Sequence, residues 1–143
     1  MVQSYIYYSI LNKYQIVEKG SKVAILGLGN FFELAKSVKA ELKKCFDIDA
    51  TLINPKFITG VDKELLESLK QIHEVVITLE DGILNGGFGE KIASFYGNSG
   101  VRVLNYGALK EFPDRVPLTE LHENYRLRED LILEDLGNLV YNN

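Results

Sequence analysis

KVAILGLGNFFELAKSVKAEL, residues 22–42, decides the fold. Val23-Ala24-Ile25-Leu26 is a short continuous apolar run, the pattern of a strand buried on both faces of a parallel sheet. Gly27-Leu28-Gly29-Asn30 turns the chain. Phe31, Leu34, Ala35, Val38 and Leu42 then recur at i, i+3, i+4, i+7 and i+11, one face of a helix. Strand, glycine turn and amphipathic helix open a βα unit. Cys45-Phe46 closes the helix and Asp47 turns outward. Cys45 is expected as a small buried apolar residue rather than a nucleophile, since no histidine lies near it in sequence.

Three further units lie downstream. Residues 48–53 (IDATLI) read as a second core strand and residues 54–61 as a loop. Asp62 is an N-cap for a helix whose buried face is Leu65, Leu66, Leu69 and Ile72. His73 ends that helix and is expected to meet its C-terminal carbonyls. Residues 74–79 (EVVITL) are a third strand, β-branched and apolar. Glu80-Asp81-Gly82 and Asn85-Gly86-Gly87-Phe88-Gly89 lead into a helix over residues 90–96. Gly97-Asn98-Ser99-Gly100 is a turn, and residues 101–106 (VRVLNY) are a fourth strand nearer an edge. A long loop spans residues 108–117 and a helical turn or two falls in 118–124. The last helix, near Glu129–Tyr141, buries Leu131, Ile132, Leu136, Leu139 and Val140. Strands alternating with helices imply βαβ units, a parallel sheet and right-handed crossovers. In a doubly wound sheet, ligands bind where strand order reverses, beyond the strand C-termini. The loops there are 27–30 and 80–89.

Upstream, residues 14–18 read as a short edge strand ended by Gly20-Ser21. Residues 1–11 (MVQSYIYYSIL) are aromatic-rich without a clear period, a sticky tail if left free, and suggest a strand or linker that meets other protein. At 143 residues the chain is long enough for one domain with a closed core. Its 16 basic and 20 acidic residues leave a net charge of −4 with no basic cluster, which argues against a nucleic-acid surface. No apolar run approaches the ~20 residues of a membrane span, and the start lacks the pattern of a signal peptide. A single cysteine excludes a disulfide framework. A cytoplasmic protein is the expectation, with neither membrane nor nucleic acid as partner.

Two loops carry the candidate chemistry. Gly27-Leu28-Gly29-Asn30-Phe31-Phe32 begins like a dinucleotide fingerprint, but Phe32 replaces the third glycine and the second strand ends in Asn54 rather than an acid. A tight strand-to-helix turn is the better reading, with amides still able to hold an anion at the helix start. Glu80-Asp81 at a strand end has the residue types for Mg²⁺ binding or acid–base work. The adjoining glycines permit positive φ or close backbone approach. No histidine or lysine converges there in sequence. The preferred reading is that Glu80 caps amides of the glycine-rich loop and the loop meets a neighbouring domain. His122, between acidic residues, is expected in solvent. No Ser-His-Asp set, metal spacing or P-loop is present.

The order of these motifs resembles the transketolase C-terminal domain family, and within it most of all the branch that makes 1-deoxy-D-xylulose 5-phosphate. KYQIVEKGSKVAIL (13–26) is similar to a Gly-Lys…Gly…Val-Ala-Ile-Leu run of that branch. INPKFITGVD (53–62) is similar to its Asn-Ala-Arg-Phe-Val-Lys-Pro-Leu-Asp segment, Thr78-Leu79-Glu80-Asp81 with Gly86-Gly87-Phe88-Gly89 to its Val-Glu-Glu…Gly-Gly-x-Gly, and Leu127 onward to its closing helix.

The resemblance implies a three-layer α/β/α domain. Its sheet would be five-stranded and mostly parallel, with one short antiparallel edge strand near residues 14–18. It implies residues 1–12 as interdomain linker or domain remnant and 13–143 as the C-terminal domain. The full enzyme would be a transferase that condenses pyruvate with glyceraldehyde 3-phosphate, losing CO₂, in isoprenoid precursor synthesis. It would use thiamine diphosphate and Mg²⁺ and act as a homodimer. In that family the diphosphate-binding and pyrimidine-binding domains come first and carry a Gly-Asp-Gly…Asn motif and an activating Glu. No Gly-Asp-Gly occurs here, so no catalytic, cofactor-binding or metal residue carries over. A fragment or separately encoded last domain, inactive alone, is expected. Glu80, Gly86, Gly87 and Gly89 are the candidate interface loop. Transketolase itself, a 2-oxoacid dehydrogenase β subunit, or a freestanding anion- or nucleotide-binding domain are the alternatives.

Overall fold

A computed structural model describes residues 13–56, 61–83, 87–108 and 129–141. Its centre is the apolar run Val23-Ala24-Ile25-Leu26. Strand β2 (Lys22–Gly27) is buried from Val23 onward. Parallel to it on one side lies β3 (Thr51–Asn54), with Ile25 opposite Leu52. On its other side lies β4 (His73–Ile83), also parallel, with Ile25 opposite Ile77. Strand β5 (Arg102–Ala108) extends the parallel set beyond β4. Strand β1 (Gln15–Glu18) adds to the far side of β3, antiparallel, with Ile16 opposite Ile53 and a bulge before Glu18. The sheet order is β1-β3-β2-β4-β5, so the antiparallel edge strand implied by the family resemblance is present.

Alternate residues of the buried strands feed opposite faces. Val23, Ile25, Val75 and Ile77 join a cluster with Ala35, Val38 and Leu42 of helix α1 (Phe32–Phe46), and Ile132 and Leu136 of helix α4 (Glu129–Tyr141). Ala24, Leu26 and Val76 join Leu66 and Leu69 of helix α2 (Lys63–Leu69). The same second cluster takes in Phe88, Ile92 and Tyr96 of helix α3 (Phe88–Tyr96). Two helical layers therefore sandwich the sheet. Buried hydroxyls lock them laterally. The Tyr96 hydroxyl donates to the Leu66 carbonyl at 2.6 Å, joining α3 to α2, and burial raises its pKa. The Tyr106 hydroxyl donates to Asp135 at 2.8 Å, joining β5 to α4.

Several boundaries differ from the sequence reading, each for a local reason. Strand β3 begins at Thr51 rather than Ile48. Asp47 leaves α1 in the left-handed region (φ 55°), and Asp47 and Ile48 turn their amides back on Lys43 and Leu42. Cys45 is exposed rather than buried. The apolar stripe of α1 passes from Leu42 to Phe46, which leaves Cys45 beside Glu41. Ile72 is 59% exposed rather than on the buried face, because α2 stops at Leu69 and Ile72 lies in the turn that follows. His73 does meet the Leu69 carbonyl, as expected, but as the first residue of β4. The expected helical turn in 118–124 and most of the 108–117 loop lie outside the described residues.

Asp62 is the N-cap that the sequence suggested, and it does more. One carboxylate oxygen accepts from Leu65 N–H (3.1 Å), closing the first turn of α2; the other accepts from Tyr14 N–H (2.9 Å), anchoring the approach to β1. Tyr14 is buried with its ring edge-to-face on Phe88, and burial pushes its hydroxyl pKa up to about 12. Replacing Asp62 with Ala therefore removes a cap and strands a second amide, an expected loss of about 2 kcal/mol. Asp62→Asn keeps one acceptor oxygen, enough for one of the two amides, and should lose less. Urea denaturation decides it, and a loss in Asp62→Ala below about 0.5 kcal/mol would rule out the double role.

Candidate functional site

Strand order reverses at β2, whose neighbours β3 and β4 leave in opposite directions, so the crevice lies beyond the C-termini of β2 and β4. Gly27 stands opposite Leu79 in the ladder, and Leu28 N–H donates to the Leu79 carbonyl at 2.9 Å. The two loops singled out from sequence thus start side by side. A single 3₁₀ turn (Gly29–Phe31) carries the chain into α1. Gly27 is a packing residue: a Cβ there would sit 2.7 Å from Ala35 Cβ and 2.9 Å from Phe32 Cα. Gly27 lets the start of α1 lie directly on the sheet and Gly29 takes a left-handed φ of 60°, which together make the tight turn expected in place of a dinucleotide fingerprint.

At the neighbouring strand end, Glu80 is 2% exposed and its Oε2 accepts from Gly89 N–H at 2.5 Å. Helix α3 begins after Gly87, which has no side chain to cap it. Glu80 supplies from β4 the acceptor that the helix start lacks. This is the capping role read from sequence. Gly87 itself is extended (φ −84°), so positive φ does not explain that glycine. Gly89 owes its identity to close approach: a Cβ would lie 2.7 Å from Thr78 Oγ1 and 2.8 Å from Asn105 Oδ1. Those two residues are register partners on β4 and β5, joined by a 2.5 Å hydrogen bond from the Thr78 hydroxyl.

The structure therefore brings Glu80 and Gly89 together and seats both inside the domain. Gly87 is half-buried at the helix start, and Gly86 lies outside the described residues. Asp81 continues strand β4. His122 also lies outside the described residues. Thr78 and Asn105 are members of the cluster that the sequence reading did not select. The available signal was a threonine within an apolar strand and an asparagine on the apolar parity of VRVLNY. Among the described residues, no group of three or more His, Cys, Asp or Glu side chains is placed to hold a metal ion. The sequence also contains no Gly-Asp-Gly.

The family model for "Transketolase, C-terminal domain" matches residues 12–132. The chain belongs to the transketolase C-terminal domain family. It is 34% identical over 130 residues to the 1-deoxy-D-xylulose-5-phosphate synthase of Clostridium tetani, covering 90% of this chain and 21% of that protein. It is 35% identical over 125 residues to the synthase of the same name from Pseudoalteromonas translucida, covering 86% of this chain and 19% of that protein. The chain thus spans about a fifth of the length of these relatives. Other domains make up the rest of those proteins. Among solved structures, a split-gene transketolase described as an inactive β4 tetramer superposes with a TM-score of 0.74 at 22% identity. That match covers 86% of this chain and 40% of the other, and bears on fold alone. The α/β family fold is the one described above. Among the described residues, no helix is long and apolar enough to cross a membrane.

The Glu80–Gly89 contact generates two expectations. Glu80→Ala leaves a buried amide without its acceptor and should cost about 1–3 kcal/mol, with Glu80→Gln milder because an acceptor oxygen remains. Gly89→Ala forces a methyl group against Thr78 and Asn105 and should cost about 1–3 kcal/mol by overpacking. Chemical denaturation of the three variants measures both. A neutral Gly89→Ala would show that α3 does not sit this close to β4 and β5.

Proposed function

We propose that this chain is the C-terminal structural and interface domain of a thiamine-diphosphate-dependent 1-deoxy-D-xylulose-5-phosphate synthase. The whole enzyme would join pyruvate to glyceraldehyde 3-phosphate with loss of CO₂. The observation that carries this reading is the 34% identity to the Clostridium tetani synthase across nine-tenths of this chain. Thiamine diphosphate and Mg²⁺ belong, on this reading, to the preceding diphosphate-binding and pyrimidine-binding domains, and this domain binds neither. The whole enzyme would work as a homodimer. A cytoplasmic location follows from its phosphorylated substrate, which does not cross membranes freely.

Residues 1–12 act as linker or domain remnant, and 13–143 as the domain proper. The loop containing Glu80, Gly86, Gly87 and Gly89 faces the preceding domain. Glu80 and Gly89 serve it from beneath, because both are buried here and hold the start of α3 against β4 and β5. The contact surface itself is then the outer side of the loop.

The test has two parts. The purified chain, given thiamine diphosphate, Mg²⁺, pyruvate and glyceraldehyde 3-phosphate, should release no CO₂; turnover by the chain alone would overturn the inert-module reading. The reading frame upstream, or a neighbouring gene, should encode the missing domains. Mixing or fusing those domains with this one should slow hydrogen exchange across residues 84–89. Unchanged exchange there, in an assembly that forms, would move the interface elsewhere.

A further inference from the structure

We propose that His73 is a pH-operated latch. Its neutral form ties the end of α2, the start of β3 and the β1–β2 turn into one corner, and protonation releases that corner. Three hydrogen bonds meet at the N-terminal end of the sheet, opposite the crevice. His73 Nδ1 lies 3.0 Å from the Leu69 carbonyl. His73 Nε2 lies 2.7 Å from Thr51 Oγ1. Gly20 N–H donates to the same Thr51 oxygen at 2.9 Å. A carbonyl only accepts, so Nδ1 carries the proton. Nε2 of the neutral ring is then an acceptor, and the Thr51 hydroxyl donates to it while accepting from Gly20. Donors and acceptors match along the whole chain, from the β1–β2 turn to the last carbonyls of α2.

A proton added at Nε2 destroys that match. The Thr51 oxygen must then accept from both Gly20 and His73, and its own hydroxyl proton must find another acceptor. Thr51 and His73 are both buried, so neither the orphaned hydroxyl nor the imidazolium reaches water without movement. The element most exposed to this loss is α2. It is seven residues long, its buried side chains are Leu66 and Leu69, and Asp62 and the Tyr96 hydroxyl also tie it.

The charged groups around the ring do not offset the added proton. Lys22 on β2, the register partner of His73, carries the same sign as the added proton and supplies no counter-charge. Asp49, ahead of β3, is held by Lys39 at 2.8 Å, and Glu67 of α2 is held by Lys70 at 3.0 Å. Glu74 follows on β4 with its side chain exposed. Burial lowers the pKa of His73, and the Leu69 carbonyl opposes that only in part. The unfolded chain, with an ordinary value of about 6.5, therefore takes the proton first. The stability that the latch contributes is complete above that pH and is lost as pH falls through the lower folded value.

The test is an NMR pH titration of this chain, with His122→Asn used to assign the second imidazole. At pH 7.5 His73 should be the Nδ1–H tautomer. Below pH 6.5, protection from hydrogen exchange should fall together at Gly20 and across α2 as the His73 resonance titrates, while α1 stays protected. Thr51→Val removes the donor to Nε2 and should move the His73 titration upward; Thr51→Ser should leave it in place. An Nε2–H tautomer at pH 7.5, or a titration at the ordinary value with α2 protection unchanged, would overturn the proposal. His73→Gln, if it folds, should lose the difference in thermal stability between pH 7.5 and 5.5 that tracks the titration.

Discussion

Strand β2 is apolar on both faces, and that constraint shapes everything around it. Val23, Ala24, Ile25 and Leu26 leave no side for water. A strand of that kind cannot sit at an edge or under a single helical layer. It needs a strand on each flank and helices above and below. β3 and β4 supply the flanks; α1 and α4 cover one face, α2 and α3 the other. Parallel neighbours require crossover helices, and right-handed crossovers put those helices on the faces that need cover. The reversal of strand order beside β2 is a by-product of the same arrangement.

The sheet has two ends with different chemistry. At the C-terminal end, glycines let helix starts lie on the strands. Gly27 admits α1, and Gly89 admits α3 against Thr78 and Asn105. Glu80 supplies the acceptor that a glycine cap cannot. Here side-chain bulk has been removed and a buried acid satisfies a buried helix amide. At the N-terminal end the linkage is polar. Gly20, Thr51, His73 and Leu69 form a directional relay across three chain segments. Lys39 gathers Asp49, the Ala50 carbonyl and Glu18 nearby, fixing α1 to the approach of β3 and the end of β1. Neither end presents a converged set of catalytic groups among the described residues.

Much of this was legible from sequence because it depends on short-range pattern. The apolar run of β2, the stripe of α1, the Asp62 cap and the last helix at Glu129–Tyr141 each follow from spacing within a dozen residues. The capping role of Glu80 was readable because an acid precedes a glycine-rich helix start. The misreadings have two causes. Ile72 continues an apolar pattern past the end of α2, and periodicity does not report where an element stops; Cys45 lies within α1 but off its apolar stripe, beside Glu41. Helix ends are set by backbone bonds such as Ile48 N–H to the Leu42 carbonyl, which no residue pattern announces.

The sequence by itself determined the alternation of strands and helices, the central strand and the membership of the family, because burial pattern and motif order are properties of the chain. Only the tertiary structure decided why Gly89 is a glycine, why Thr78 and Asn105 belong with Glu80, and which proton His73 carries. Each of those depends on groups separated by many residues, 27 between Thr78 and Asn105 and 22 between Thr51 and His73. Strand pairing brings them within hydrogen-bond reach. Until the sheet assembles in its register, no local interaction distinguishes these residues from their neighbours.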